Sequence, residues 1–210
     1  MSTNKILNDI NLSAKPYIIY KTSKGFDLFT DFSKKIILSN NNVNNFLKTI
    51  SSNKKKIKQT DLYIGFFGYE LLNYLIGIKF PKQKTNFFPK GIFYKPETLI
   101  SLSENLSFKA PLSKKKNKQF KINIDRKNYT RIFNKFKRKI KQGETYQIKI
   151  CTKYKNKSKI DPLDFFCRLS KSNLAPEAFL IKDKNYSVIS CSPETLIEKK
   201  GRSIITKPIA

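Results

Sequence analysis

Short apolar runs separated by polar turns fill the first forty residues. PYIIY (16–20), FDLF (26–29) and KKIIL (34–38) read as strands, with Lys-Gly and Asp-Phe-Ser turns between them. Asn40–Asn42 opens a helical pattern in Val43, Phe46, Leu47 and Ile50. NKKKIK at 53–58 reads as a solvated charge run. Asp61–Gly68 reads as a strand whose glycines permit close backbone approach. Tyr69, Leu72, Leu75 and Ile76 then keep helical spacing until Pro81. Residues 90–109 return to strand character, and SKKKNKQ at 113–119 reads as a linker or long hairpin tip.

The second half is more regular. Asp125 is placed to cap a helix carrying Tyr129, Ile132, Phe133, Phe136 and Ile140 on one stripe, with Gly143 ending it. TYQIKICTKY (145–154) alternates strictly: Tyr146, Ile148, Ile150, Thr152 and Tyr154 on one side, Gln147, Lys149, Cys151 and Lys153 on the other. Asp161-Pro162 starts another helix, whose buried stripe is expected to be Leu163, Phe166, Cys167 and Ser170. Strands follow near 177–183, 186–191, 195–199 and 203–209. The fold class expected is α+β, helices layered on a largely antiparallel sheet. The last apolar run, SIITKPIA, has no turn signal after it, which leads to the expectation that the sheet is incomplete at the C-terminus.

Length and composition refine this picture. At 210 residues the chain suits one or two domains, and its 39% hydrophobic content is enough to build a core. Lys and Arg number 43 against 15 Asp and Glu, a formal charge of +28. Such a balance suits a nucleic-acid-binding module or an anionic surface. However, 38 of the basic residues are Lys and only 5 are Arg, beside 19 Asn and 26 Ile. That is the signature of A/T-rich codons rather than of selection for phosphate or base contact, which favours Arg. Histidine is absent, which excludes Ser-His-Asp and Cys-His relays and HExxH zinc sites from these residues. Cys151, Cys167 and Cys191 are odd in number and lack CxxC spacing, so neither a disulfide framework nor a zinc site is expected. With no secretory h-region in MSTNKILNDINL and no apolar span long enough for a bilayer, a cytoplasmic protein without a membrane partner is expected.

From residue 61 onward the chain resembles component I of the chorismate-utilising enzymes, the group of anthranilate synthase and aminodeoxychorismate synthase. Ile64-Gly65-Phe66-Phe67-Gly68-Tyr69-Glu70 is similar to that family's Gly-x-x-Gly-Tyr-Asp/Glu element, and Gly143-Glu144-Thr145-Tyr146-Gln147-Ile148 to its Gly-Asp-x-Phe/Tyr-Gln-Val strand. Asn173-Leu174-Ala175-Pro176 with Phe179, then Ser192-Pro193-Glu194, form a third likeness, and Thr206 to Ala210 resembles the start of its Pro-Ile-Ala/Lys-Gly-Thr motif. The resemblance implies an anthranilate synthase component I-like fold, with residues 1–112 as its N-terminal region and 120–210 as the first part of a chorismate-binding domain. It also implies chorismate as substrate, a glutamine amidotransferase subunit supplying ammonia, and Mg²⁺. The glutamates that hold Mg²⁺ and the catalytic histidine are expected beyond Ala210, so no metal ligand is assigned here and these 210 residues are expected to be inactive alone.

Residue roles follow from the same resemblance. Gln147 stands where water-adding relatives carry a lysine base, and an amide cannot deprotonate water, so it selects ammonia as nucleophile; alternatively it bridges neighbouring strands. Ala210 stands where some aminodeoxychorismate synthases carry a nucleophilic lysine. Ile209, Ser192 and Glu194 are candidate substrate contacts, although Ser192-Pro193-Glu194 equally suits a plain turn. Tyr69-Glu70 is a helix start or a domain contact. PYIIYKTSKG replaces the Leu-Leu-Glu-Ser element that binds feedback tryptophan, and Glu177-Ala178 departs from the aromatic-Met pair of that pocket. Both products, anthranilate and aminodeoxychorismate, stay open. If the +28 charge is not a nucleic-acid site, retention on duplex DNA should vanish near about 0.15 M salt, measurable as mobility shift against salt.

Overall fold

Tyr17, Ile18 and Ile19 are consecutive and all buried, because both faces of their strand are covered. In the computed structural model, residues 2–52, 58–77, 88–110 and 119–209 are described. The charge run apart from Lys58, the Pro81 stop, the 113–119 segment apart from Gln119, and Ala210 lie outside them. In chain order the elements are α1 (Thr3–Leu12), β1 (Tyr17–Thr22), β2 (Gly25–Ile37), α2 (Val43–Ser52) and β3 (Ile64–Phe67). A 3₁₀ turn over Tyr69–Leu71 runs into the one-turn α3 (Leu72–Leu75), followed by β4 (Gly91–Leu102), β5 (Lys121–Ile122), α4 (Arg126–Lys141) and β6 (Tyr154–Lys155). The remainder is α5 (Pro162–Ser172), β7 (Glu177–Lys182), β8 (Ser187–Ser192), β9 (Thr195–Lys200) and β10 (Ser203–Lys207).

Two compact units result: Met1–Ala110 with Asp161–Ala210, and Pro111–Ile160. Residues 120–160 and 161–210, grouped in one region by the sequence, thus fall in different units. The first unit holds a six-stranded sheet in the order β3-β4-β2-β1-β7-β8, every pairing antiparallel, and the separate β9–β10 hairpin. The mixed helix and antiparallel sheet agree with the α+β expectation.

Helices α1 and α5 cover one sheet face. Leu7, Leu163, Phe166 and Cys167 pack there with Tyr17, Ile19, Leu28 and Leu180, each large side chain contributing about 1.5–3 kcal/mol by leaving water. Asp161 caps α5 by accepting from the amides of Leu163 and Asp164, both at 2.9 Å, so the Asp-Pro signal and the stripe are realised, with Ser170 only half-buried. The apolar pattern assigns no helix at the N-terminus; α1 forms with Ser2 as its cap and Leu7 as its buried anchor. On the opposite face Ile18, Phe29, Ile92, Tyr94 and Ile181 form a second core, and Leu38, Val43, Phe46 and Phe93 form a third beneath α2.

Three expectations change. FDLF and KKIIL belong to one strand, β2, and the Asp-Phe-Ser turn is an irregularity in its pairing with β4 between Phe32 and Lys34, with Asp31 at φ 50°. Pro96, which cannot donate to a ladder, sits opposite Phe32 at that point. After Gly68 the residue that turns inward is Leu71, whereas Tyr69, Leu75 and Ile76 are exposed. Residues 145–153 form no strand, because among the described residues only Lys121–Ile122 pairs nearby, with Tyr154–Lys155. Gly65 bears out its expected role: a Cβ there would collide with the Ile92 carbonyl across the β3–β4 pair. No described helix is long and apolar enough to cross a membrane.

Asp183, 4% exposed, is the buried charge of the described residues. Its carboxylate takes an ion pair from Lys35 at 2.6 Å, a hydrogen bond from the Tyr94 hydroxyl, another from Tyr186 at 3.2 Å and one from the Lys184 amide at 2.6 Å. Burial opposes the charge, but Lys35, Tyr94 and the Lys184 amide outweigh it and hold the carboxyl below its ordinary value. With the folded value below the unfolded one, near about 3.9, this contribution is complete above that pH and drains away as pH falls through the folded value. Asp183→Asn is expected to cost about 2–3 kcal/mol at pH 7 and to flatten the acid limb of stability, read by urea unfolding at stepped pH.

Candidate functional site

Strand β1 ends beside the start of β7, and their side chains meet although 157 residues separate them in sequence. The Tyr20 hydroxyl donates to Glu177 Oε2 at 2.5 Å, and Thr195 Oγ1 at the start of β9 donates to Glu177 Oε1 at 2.7 Å. Lys21 Nζ donates to the Ala175 carbonyl at 2.6 Å, tying β1 to the Asn173–Pro176 loop. These residues border a cleft of about 780 Å³ that also takes in Phe26, Asn105, Lys171, Glu198 and Lys207. Its volume suits a small molecule, and both charge signs line it. Burial, and then the hydrogen bond to Glu177, push the Tyr20 phenol well above its ordinary value. Tyr20 therefore stays protonated at physiological pH and donates to Glu177.

Two of the three thiols, Cys167 and Cys191, are held in their protonated form. Burial pushes Cys167 up to about 11 and raises Cys191 as well. Among the described residues no group of three His, Cys, Asp or Glu side chains is arranged to hold a metal. Both Glu177 oxygens are taken by hydroxyl donors, and the Asp183 carboxylate is taken by Lys35, two tyrosines and an amide. Neither of these two carboxylates is therefore free to take Mg²⁺, which needs carboxylate oxygens open to it.

The sequence-based candidates are distributed over both units. Ser192 ends β8 opposite Glu177 in the β7–β8 register, its hydroxyl 3.0 Å from that of Ser190. Glu194 is exposed in the turn between β8 and β9, the place its Ser-Pro-Glu context suits. Ile209 is exposed, and Ala210 lies outside the described residues. Gln147 is in the second unit, exposed, its carbonyl accepting from Thr145 Oγ1 at 3.1 Å. The Tyr20–Glu177–Thr195 arrangement had no signal in the sequence beyond the unusual residues at 177–178. PYIIYKTSKG and Glu177-Ala178, each an oddity alone, line one cleft.

The model of the family described as chorismate binding enzyme matches residues 13–210. The chain belongs to that family. It is 27% identical over 202 residues to an anthranilate synthase component 1 of Buchnera aphidicola subsp. Rhopalosiphum maidis, an overlap of 79% of this chain and 39% of that protein. An anthranilate synthase component I-like protein of Synechocystis is 26% identical over 173 residues, 70% of this chain and 36% of the relative. Anthranilate synthase component 1 of Haloferax volcanii is 31% identical over 85 residues, 40% of this chain and 16% of the relative. The chain thus spans under half the length of these relatives. In this member of the chorismate binding enzyme family, Glu177→Ala should bring the Tyr20 phenol part of the way back toward its ordinary value near about 10, seen as an alkaline shift lost from the tyrosinate absorbance titration.

Proposed function

We propose that the chain supplies part of component I of a chorismate-aminating enzyme, anthranilate synthase or aminodeoxychorismate synthase, working in the cytoplasm with a glutaminase subunit that delivers ammonia. The family match across residues 13–210 carries the reading. The relatives named anthranilate synthase component 1 support its aminating branch.

In this chemistry ammonia attacks the chorismate ring, a carbon–nitrogen bond forms, and the allylic carbon–oxygen bond breaks. The departing oxygen takes a proton and leaves as water, while the nitrogen gives one up; the anthranilate branch then also loses the enolpyruvyl side chain as pyruvate as the ring aromatises. Mg²⁺, where bound, would fix a substrate carboxylate. Gln147 contributes by what it lacks: an amide neither removes a proton from water nor competes with ammonia as nucleophile. Ala210 likewise offers no amine for covalent attack, which leaves direct attack by ammonia. Ile209, Ser192 and Glu194 remain candidates for contact with the substrate. Without histidine, these residues supply no imidazole acid to protonate the leaving oxygen, and activity depends on polypeptide equivalent to the rest of the relatives.

Two measurements test the proposal. The 210-residue chain with chorismate and ammonium should form no aminated product, and product should appear when it is combined with the remaining length of a relative; fluorescence and chromatography distinguish anthranilate from aminodeoxychorismate. In that reconstituted enzyme Gln147→Lys should add a water-derived product, isochorismate, and its absence would remove Gln147 from nucleophile selection.

A further inference from the structure

The formal charge is not spread evenly along the chain. Residues 111–160, the second unit, hold 18 Lys and Arg against 2 Asp and Glu, a net +16. The 160 residues of the first unit hold 25 against 13, a net +12. A/T-rich codons raise the lysine count of every segment alike, so they account for the total but not for this gathering. Within the second unit α4 carries eight basic residues and no acidic one, and they include three of the chain's five arginines, Arg126, Arg131 and Arg138. Seven of the eight are exposed, while Lys139 is half-buried and paired with Glu144 at 2.5 Å. No other basic side chain of the helix has a partner carboxylate among the described residues.

At about 100° per residue, the stripe of Tyr129, Ile132, Phe133, Phe136 and Ile140 takes one side of α4, and Lys127, Arg131, Lys135 and Arg138 fall on the other. Their spacings of four, four and three residues make a single row about 16 Å long. Cations set in a row with no acid between them repel one another, and an anionic partner relieves that cost. A bilayer fits poorly, because an interfacial helix sinks its stripe in lipid and turns this row to water. Single-stranded nucleic acid is held on aromatic platforms, and the aromatic side chains of α4 stand on the side away from the row. Duplex phosphates need no platform: they present about one charge per 1.7 Å of helix axis, and the guanidinium fork matches their oxygens two at a time. We propose that α4 binds the phosphate backbone of duplex DNA, without reading base sequence, through Lys127, Arg131, Lys135 and Arg138. This binding is separate from the chorismate chemistry and belongs to the second unit.

Fluorescence anisotropy of a labelled mixed-sequence DNA duplex, titrated with the full 210-residue chain at stepped salt, tests this. Binding should persist at about 0.15 M salt, and log K should fall against log salt with a slope of about −3.6 or steeper, the value for four phosphate contacts. Arg131→Gln with Arg138→Gln should shrink that slope by about 2 and weaken binding by on the order of tenfold or more, while Arg131→Lys with Arg138→Lys keeps the slope. Lys5→Gln with Lys48→Gln removes the same charge from exposed positions of the first unit and should leave the slope unchanged. Unaltered far-ultraviolet helicity confirms that each variant is folded. Retention that vanishes near about 0.15 M salt overturns the proposal. An equal loss in the variant at Lys5 and Lys48 does so too, by showing that net charge alone acts. Equal or tighter binding to phosphatidylserine vesicles, polyglutamate or a single strand also overturns it, and makes the occupant a bilayer, an acidic protein or single-stranded nucleic acid.

Discussion

The Asp183 carboxylate joins parts of the sheet that a flat arrangement would keep apart. Its partners Lys35 and Tyr94 face each other across β2 and β4, while Asp183 follows β7. Strands β2 and β1 stand between β4 and β7, so a flat sheet would hold the two about 14 Å apart at the usual strand spacing. Contact requires the sheet to coil. The irregularity between Phe32 and Lys34, Asp31 at φ 50° and Pro96 opposite Phe32 provide a bend in β2 and β4 where coiling needs one. The buried charge is tolerated because every oxygen has a donor and one donor is an ammonium.

Coiling explains the two unlike faces of the sheet. The face with α1 and α5 is covered by helices, and the other by aromatic side chains of the sheet and its loops, Tyr94 tilted against Phe32 and Phe88 edge-on to Tyr186. It also explains why β7 carries a polar network at each end. Asp183 lies beyond Lys182, and Glu177 opens the strand at the cleft, held by Tyr20 and Thr195. The buried middle, Ala178, Leu180 and Ile181, separates them. A strand anchored at both ends has its register pinned, and the cleft inherits that rigidity.

Helices were the most legible elements. The caps and stripes of α4 and α5 and the pattern of α2 depend on spacings of three and four residues, which the chain displays directly. Strand positions at 177–207 were equally readable. Less legible were features that depend on a partner: the continuity of β2 across Asp31, the inward turn of Leu71, and α1, whose weak stripe needs the sheet beneath it. The alternation at 145–153 is a strand pattern in full, but periodicity states a preference and cannot supply the neighbour that satisfies it. Of the candidate site residues, Ser192 lies opposite the cleft residue Glu177, whereas Gln147 lies in the other unit.

By itself the sequence determined the local elements, the absence of imidazole chemistry from these residues and, through ordered motifs, the chorismate-binding family. Those properties are written in neighbouring side chains or in residue identity. Tertiary structure alone decided the strand order, the closure at Asp183 and the meeting of Tyr20 with Glu177 across 157 positions. Contacts at such separation follow from which loops close and which faces bury together, and no local spacing encodes that choice.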